Sequence, residues 1–244
     1  MQADAGMASD AGAPAYPDGG ADSAVPAPPE VARQIFGQEL PVAEAYAKML
    51  AGPGVVRGLI GPAEAGRIWE RHLLNCAVVA ELVPTPCTLV DLGSGAGLPG
   101  IVLAMLLPQA QVILLEPMER RTVFLQECVD AIGLPNAVVR RGRAEEQAGK
   151  IGADVVTARA VASLDRLAVL AAAVSRPGGL VLAIKGAGAA LELERARPAL
   201  RGVGAVDARL VRAGEGTINP PTTVVRFTVG RVAHGRRRPS GRSN

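Results

Sequence analysis

Residues 89–104 read LVDLGSGAGLPGIVLA, with four glycines, Gly93, Gly95, Gly97 and Gly100, inside eight positions that follow Asp91 and Leu92. The apolar run before them reads as a buried strand. Leu98, Ile101, Val102, Met105 and Leu106 after them are spaced for one face of a helix. The glycines therefore stand at the carboxyl end of a strand and ahead of a helix amino terminus, where open α/β sheets bind ligands. Residues without a Cβ allow positive φ and let a ligand approach the backbone closely. Gly95, Gly97 and Gly100 also spell G-x-G-x-x-G, the dinucleotide fingerprint, although Gly93 and Ser94 separate the strand from its first glycine. A nicotinamide-dependent dehydrogenase is one reading of this loop. The next apolar run, QVILLE, ends in Glu116, 23 residues after Gly93. A carboxylate there can accept hydrogen bonds from the ribose of a nucleoside cofactor. TARA (157–160) and LAIKG (182–186) put Arg159 and Lys185 at the same rim, where they suit an anionic ligand. The plainer alternatives are an ion pair of Arg159 with Asp154 or Asp165, and a solvated Lys185.

The elements that must hold these residues follow from the pattern around them. Residues 64–83, EAGRIWERHLLNCAVVAELV, form one helical stripe bounded by Pro62 and Pro84, and a shorter helix is expected over Pro41–Leu50, broken by Gly52, Pro53 and Gly54. From residue 87 short β-branched runs alternate with helical periods through a helix after Gly188, which predicts a parallel sheet covered on both faces. DARLVR and TTVVRFTV have no helix between them and should form an antiparallel hairpin at one sheet edge. His72 lies on the apolar stripe four residues before Cys76, and with no further ligands near it reads as a hydrogen-bonded core histidine.

The wider pattern, strand-Asp-x-Gly-x-Gly-x-Gly, resembles the first motif of class I S-adenosylmethionine-dependent methyltransferases. WERHLLNCAVVAEL, VDLGSGAGLPGIVLA, LLEPMERRTVFLQE, RGRAEE, ARAVASLDRL and LAIKG, in this order across roughly residues 36–230, together resemble the RsmG (GidB) family. Its members are bacterial enzymes that methylate guanine N7 in 16S ribosomal RNA. The resemblance implies a class I Rossmann-like fold with a mostly parallel seven-stranded sheet, an antiparallel edge hairpin and additional amino-terminal helices. It implies S-adenosyl-L-methionine as cofactor, with contacts at Gly93, Leu98, Ala144, Glu145 and Arg159, Ala144 and Glu145 lying near the adenine; the glycine loop and the end of the second strand add Gly95, Gly97 and Glu116 to the expected cofactor site. Arg159 and Lys185 are the catalytic candidates, Lys185 toward RNA phosphate or the guanine edge. Arg71 and Asn75 are expected to face the substrate cleft, and Arg140, Arg141 and Arg143 to extend a phosphate-binding rim. Leu98 stands where many members carry Phe, and Ala158 where many carry Ser.

The reaction agrees with what the motifs omit. Methyl transfer from a sulfonium is an in-line displacement in which alignment supplies most of the catalysis, and guanine N7 has a free lone pair and loses no proton. No general base is required. Enzymes acting on exocyclic amines usually carry [Asn/Asp]-Pro-Pro-[Tyr/Phe] after the fourth strand, where this chain has TARA, and pyrimidine C5 enzymes need a cysteine there, whereas Pro86 and Cys87 precede the first strand. Three other readings stand beside this one: a class I methyltransferase with another substrate, the dehydrogenase, and an RNA-binding module without chemistry.

Composition sets the outer limits. The first 30 residues hold five acids and no Lys or Arg, a disordered acidic tail by expectation. The formal charge is +3 overall, while residues 31–244 hold 26 basic against 18 acidic residues. Six arginines and no acid follow from Arg226 onward, a basic carboxyl tail suited to phosphate. The expected division is therefore 1–30 tail, 31–85 helical extension, 86–230 methyltransferase core and 231–244 basic tail. Aromatics at 2 % argue against a base-stacking platform. Cys76, Cys87 and Cys128 stand far apart with only two histidines in the chain, so no metal site is expected, and unpaired thiols fit the cytoplasm. No apolar run is long enough to span a membrane. The expected partner is small-subunit ribosomal RNA or a pre-30S particle, bound by a monomer.

Overall fold

The alternation read along residues 87–228 becomes one seven-stranded sheet. A computed structural model describes residues 25–230, so the expectations for the acidic tail before residue 25 and for the basic tail from residue 231 lie outside the described residues. The strands are β1 (Cys87–Leu92), β2 (Ala110–Glu116), β3 (Ala137–Arg141), β4 (Ala153–Arg159), β5 (Ser175–Lys185), β6 (Val206–Ala213) and β7 (Thr222–Thr228), in the order β3-β2-β1-β4-β5-β7-β6. Strands β1 to β5 pair in parallel, and β7 runs antiparallel to both β5 and β6. The hairpin is thus present, but its second strand lies inside the sheet and its first forms the edge. Composition explains that placement. Val224, Val225 and Phe227 are buried on both faces of β7, whereas β6 carries Asp207, Arg209 and Arg212 and tolerates water.

The helices are α1 (Glu30–Phe36), α2 (Leu40–Met49), α3 (Leu74–Ala77), α4 (Gly100–Leu106), α5 (Glu119–Ile132), α6 (Leu164–Val174) and α7 (Ala189–Gly202). Successive residues of the central strands face opposite layers. Leu89, Leu114, Val155 and Leu182 pack beneath the amino-terminal helices, α4 and α5, while Val90, Leu115, Val156 and Val181 pack beneath α6 and α7. Helix α4 is buried all round rather than on the single face its spacing predicts, because the amino-terminal helices cover its other side.

Two helical expectations change in detail. The Gly52, Pro53, Gly54 break does not end the path at once, since a wide turn, Leu50–Gly54, continues α2. The stripe over 64–83 is a rod of four joined pieces: a 3₁₀ segment (Pro62–Arg67), a wide π segment (Ile68–Leu73), α3, and a second 3₁₀ segment (Val78–Leu82). Trp69 on this rod meets Phe36 edge-on at 6.2 Å, and its Nε1 donates to the Pro26 carbonyl at 2.8 Å. Tyr46 of α2 is fully buried and its hydroxyl donates to the Ala96 carbonyl at 2.7 Å, so the helical extension supports the glycine loop from below. Among the described residues no helix is long and apolar enough to cross a membrane.

Candidate active site

The order 3-2-1-4-5 reverses direction between β1 and β4, so the chain leaves these neighbours on opposite courses and opens a crevice above their carboxyl ends. The glycine loop forms one wall and residues 159–163 form the other. Gly93 adopts φ +66° and Gly97 φ +100°, conformations that L side chains rarely take. A Cβ on Gly97 would collide with Ile101 Cδ1 and lie 2.7 Å from the Tyr46 hydroxyl. Gly97 is therefore a packing residue of the loop floor, and it does not line the hollows above it.

Two buried carboxylates shape this loop. Asp91 Oδ2 accepts from Ser94 Oγ at 2.5 Å and from the Gly100 N–H at 3.0 Å, and Oδ1 accepts from Thr157 Oγ1 at 3.4 Å. One side chain thus ties the loop, the first turn of α4 and the neighbouring strand. Its complete burial outweighs those three donors and raises its pKa from 3.8 to about 6. Glu116 is 1 % exposed, with Oε2 accepting from the Gly95 N–H and Oε1 from the Met118 N–H, each at 3.0 Å. Arg121 Nη1 stands 3.7 Å from the same Oε2. Both oxygens of Glu116 turn inward to backbone donors, because two N–H groups within reach offer a buried carboxylate the partners it must have.

On the opposite wall Ala160 is left-handed at φ +53°, and Val161 leans over Gly93 so that both its methyls would stand 2.9 Å from a Cβ there. The crevice holds two hollows that meet at Gly93, with Val161 on the wall of the first. The first, of about 400 Å³, is lined by Leu92, Gly93, Ala144, Glu145, Val161 and Arg166. The second, of about 260 Å³, is lined by Gly95, Leu98, His72 and Arg159. Beyond Arg159 lies a third hollow of about 500 Å³, lined by Arg71, Asn75, Arg159, Lys185, Arg212 and Thr223. Among the described residues its lining has four basic side chains and neither a carboxylate nor an imidazole.

Arg159 separates the last two hollows and is fixed by the amino-terminal rod. Its Nη2 donates to the Arg71 carbonyl at 3.0 Å and to His72 Nδ1 at 2.8 Å, and its Nη1 meets Cys76 Sγ at 3.4 Å. Neither acid proposed as its ion-pair partner touches it, and Asp154 binds Arg176 instead, at 2.6 Å. His72 in turn faces Glu64 through Nε2 at 3.1 Å, and burial beside the Arg159 guanidinium lowers its pKa from 6.5 to about 4. Burial also pushes the thiol of Cys76 up, against the opposing pull of Arg159.

Lys185 lines the basic hollow but is not a free charge. Its Nζ donates to the Ala162 carbonyl at 3.0 Å and to Glu192 Oε1 at 2.8 Å, and the same oxygen accepts the Leu164 N–H at 2.7 Å. Lys185 and Glu192 therefore pin the strip just after Val161, at Ala162 and Leu164. The structure brings Gly93, Gly95, Leu98, Ala144, Glu145 and Arg159 to the divided crevice, and Arg71 and Asn75 to its basic continuation. It leaves Gly97 and Glu116 beneath the loop. Of the arginines expected at a phosphate rim, Arg143 borders the first hollow, while Arg141 pairs with Glu119 at 3.1 Å. Sequence reasoning missed Asp91, Tyr46, Glu64, Val161 and Glu192. Only Asp91 carried a local signal, as a lone acid inside an apolar strand.

Comparison with known proteins agrees with this architecture. The family model GidB, rRNA small subunit methyltransferase G, matches residues 39–218. The ribosomal RNA small subunit methyltransferase G of Thermobifida fusca is 56 % identical over 202 residues, covering 83 % of this chain and 85 % of that protein. The protein of the same name from Streptomyces avermitilis is 52 % identical over 212 residues, covering 86 % and 89 %. A SAM-dependent O-methyltransferase structure from Thermotoga maritima shares the fold at a TM-score of 0.50 and 12 % identity, over 64 % of this chain and 65 % of that one. With its seven-stranded sheet, reversed penultimate strand and matched span of 180 residues, the chain belongs to the rRNA small subunit methyltransferase G family.

Proposed function

We propose that this chain transfers a methyl group from S-adenosyl-L-methionine to N7 of a guanine in small-subunit ribosomal RNA. The observation that carries the reading is the position of Arg159, on the wall shared by the divided glycine-loop crevice and a hollow lined by Arg71, Lys185 and Arg212. A cofactor on one side and a polyanion on the other then meet at one side chain. The residues present fit the cofactor: Leu92, Leu115, Ala144 and Leu170 give the first hollow apolar walls for a purine, and the bare backbone at Gly93 and Gly95 leaves room for the chain linking it to the second. The cofactor supplies an electrophilic methyl on a sulfonium.

The rest is the protein's work. Gly93, Gly95, Leu98, Ala144 and Glu145 seat the cofactor, and Asp91 and Glu116 keep the loop in shape from below. Arg159 orients the groups that meet at the wall, and Arg71 and Arg212 attract phosphate. No lining residue of the basic hollow can act as a carboxylate or imidazole base, which suits an acceptor that arrives with a free lone pair. Binding through such charges weakens steeply with salt. The same reading has the protein acting as a monomer in the cytoplasm, on ribosomal RNA free or in a pre-30S particle.

The test is transfer of labelled methyl to small-subunit RNA from a strain lacking the enzyme, with the base mapped by reverse-transcription stops after cleavage at 7-methylguanosine. Label confined to protein or small molecules rejects the RNA substrate. Micromolar NAD binding without S-adenosylmethionine binding rejects the cofactor.

A further inference from the structure

Among the described residues Arg159 is the only guanidinium lining both the second hollow and the basic one, and no carboxylate there holds it directly. Its anchors all come from one face of the rod: the Arg71 carbonyl, His72 Nδ1 and Cys76 Sγ. A guanidinium has no acceptor, so the 2.8 Å contact to Nδ1 requires that nitrogen to be unprotonated. The ring hydrogen is therefore on Nε2, where Glu64 Oε2 accepts it at 3.1 Å. Glu64 also meets Arg71 Nη1 at 3.4 Å, so one carboxylate serves both arginines of the cleft, Arg71 directly and Arg159 through the imidazole. His72 sits in the wide π segment of the rod, a helical variant found mostly at functional sites.

We infer that His72 is a positioning residue for methyl transfer: neutral, with its hydrogen on Nε2, it links Glu64 to Arg159 and holds the guanidinium at the wall between cofactor and RNA. This rests on the role proposed above for Arg159. His72 edges the second hollow, and in the inference it acts through Arg159, by denying the guanidinium its other rotamers. A directly bound carboxylate would neutralise Arg159, whereas an intervening neutral imidazole fixes its direction and leaves its charge for the reactants.

The test is a double-mutant cycle on the full chain, read as kcat/KM for RNA methylation, beside ¹⁵N spectra of the imidazoles. His72→Phe preserves bulk without an acceptor and should lower kcat/KM at least tenfold. His72→Gln, whose amide can accept from Arg159 and donate to Glu64, should recover activity to within about threefold of wild type. In an Arg159→Met background His72→Phe should cost less than twofold. With only two histidines in the chain, the ¹⁵N spectrum should show one ring locked with hydrogen on Nε2, and Arg159→Met should release it to a tautomer mixture. An equal loss from His72→Phe with and without Arg159 overturns the inference, as does an unlocked ring in the wild type. If the wild type methylates no RNA, the functional reading fails, and the tautomer result alone still decides whether His72 positions Arg159.

Discussion

Glu116→Gln separates a carboxylate that holds the glycine loop from one that holds a cofactor. Each oxygen of Glu116 accepts one backbone N–H at 3.0 Å, from Gly95 and from Met118, and the residue is 1 % exposed. Glutamine keeps one acceptor and turns an NH₂ toward the other N–H, so one bond is lost and two donors face each other in a dry site. A hydrogen bond to a charged acceptor contributes about 1.5–3 kcal/mol, and an unpaired buried donor costs about 1–3 kcal/mol, so with partial relaxation the net loss is about 2–4 kcal/mol. A domain of 150–250 residues shifts by about 2–4 °C per kcal/mol, which places the change in Tm at roughly 4–16 °C. Scanning calorimetry of the free protein measures it without ligand, and titration with S-adenosylhomocysteine measures binding separately. The expected pairing is a clear fall in Tm with affinity reduced in proportion to loop disorder. A Tm within about 2 °C of wild type, together with a tenfold loss of affinity, refutes the reasoning and returns Glu116 to the ribose.

Gly100→Ala should be as damaging without touching the crevice. Its Cβ would collide with Leu114 Cδ2 and lie 2.6 Å from Asp91 Oδ2 and 2.7 Å from Asp91 Cβ, an overpacking of about 1–3 kcal/mol plus distortion of the Gly100–Asp91 bond; an unchanged Tm would contradict the packing described. Val161→Ala removes the two methyls that cap Gly93 and should tighten S-adenosylhomocysteine binding about two- to fivefold, whereas weakening beyond threefold would make Val161 a cofactor contact instead. Folding stability should respond to pH through two opposed groups. His72 is lowered from 6.5 to about 4 in the fold, so its contribution is present above pH 6.5 and lost as pH falls toward 4. Asp91 is raised from 3.8 to about 6, so its contribution is present below pH 3.8 and lost as pH rises through 6. Between about pH 4 and 6 these slopes oppose. Replacing His72 by Gln should therefore make stability rise relative to wild type as pH is lowered from 6.5 to 4 in denaturant titrations, and parallel profiles would show that His72 is not held neutral.

The elements were legible because their signals are local. Strands β1 to β5 and helices α4 to α7 follow from apolar period and breaker residues, and the glycine cluster marked the ligand end of β1. What was hidden depends on partners distant in sequence. The order of β7 and β6 was set by which strand tolerates two buried faces, a comparison between strands rather than a property of either. An acid at the end of β2 is all the sequence displays of Glu116, while its two backbone N–H partners are known only once the Gly95 and Pro117 turns are folded. Arg159 invited an acidic partner and found one only through His72, which lies 87 residues away.

That separation explains why the amino-terminal rod cannot be a detachable cover. It supplies the three anchors of Arg159 and, in Asn75, an acceptor for Thr222 at the start of β7, while α2 supplies Tyr46 beneath Ala96. The glycine loop and Arg159, which lines both the second hollow and the basic one, thus take their positions from the same helical layer. Any shift of that layer moves both walls of the crevice together. Arg71 at the rod surface is linked to Arg159 through its own carbonyl and, by way of His72, through the carboxylate of Glu64 that both arginines share.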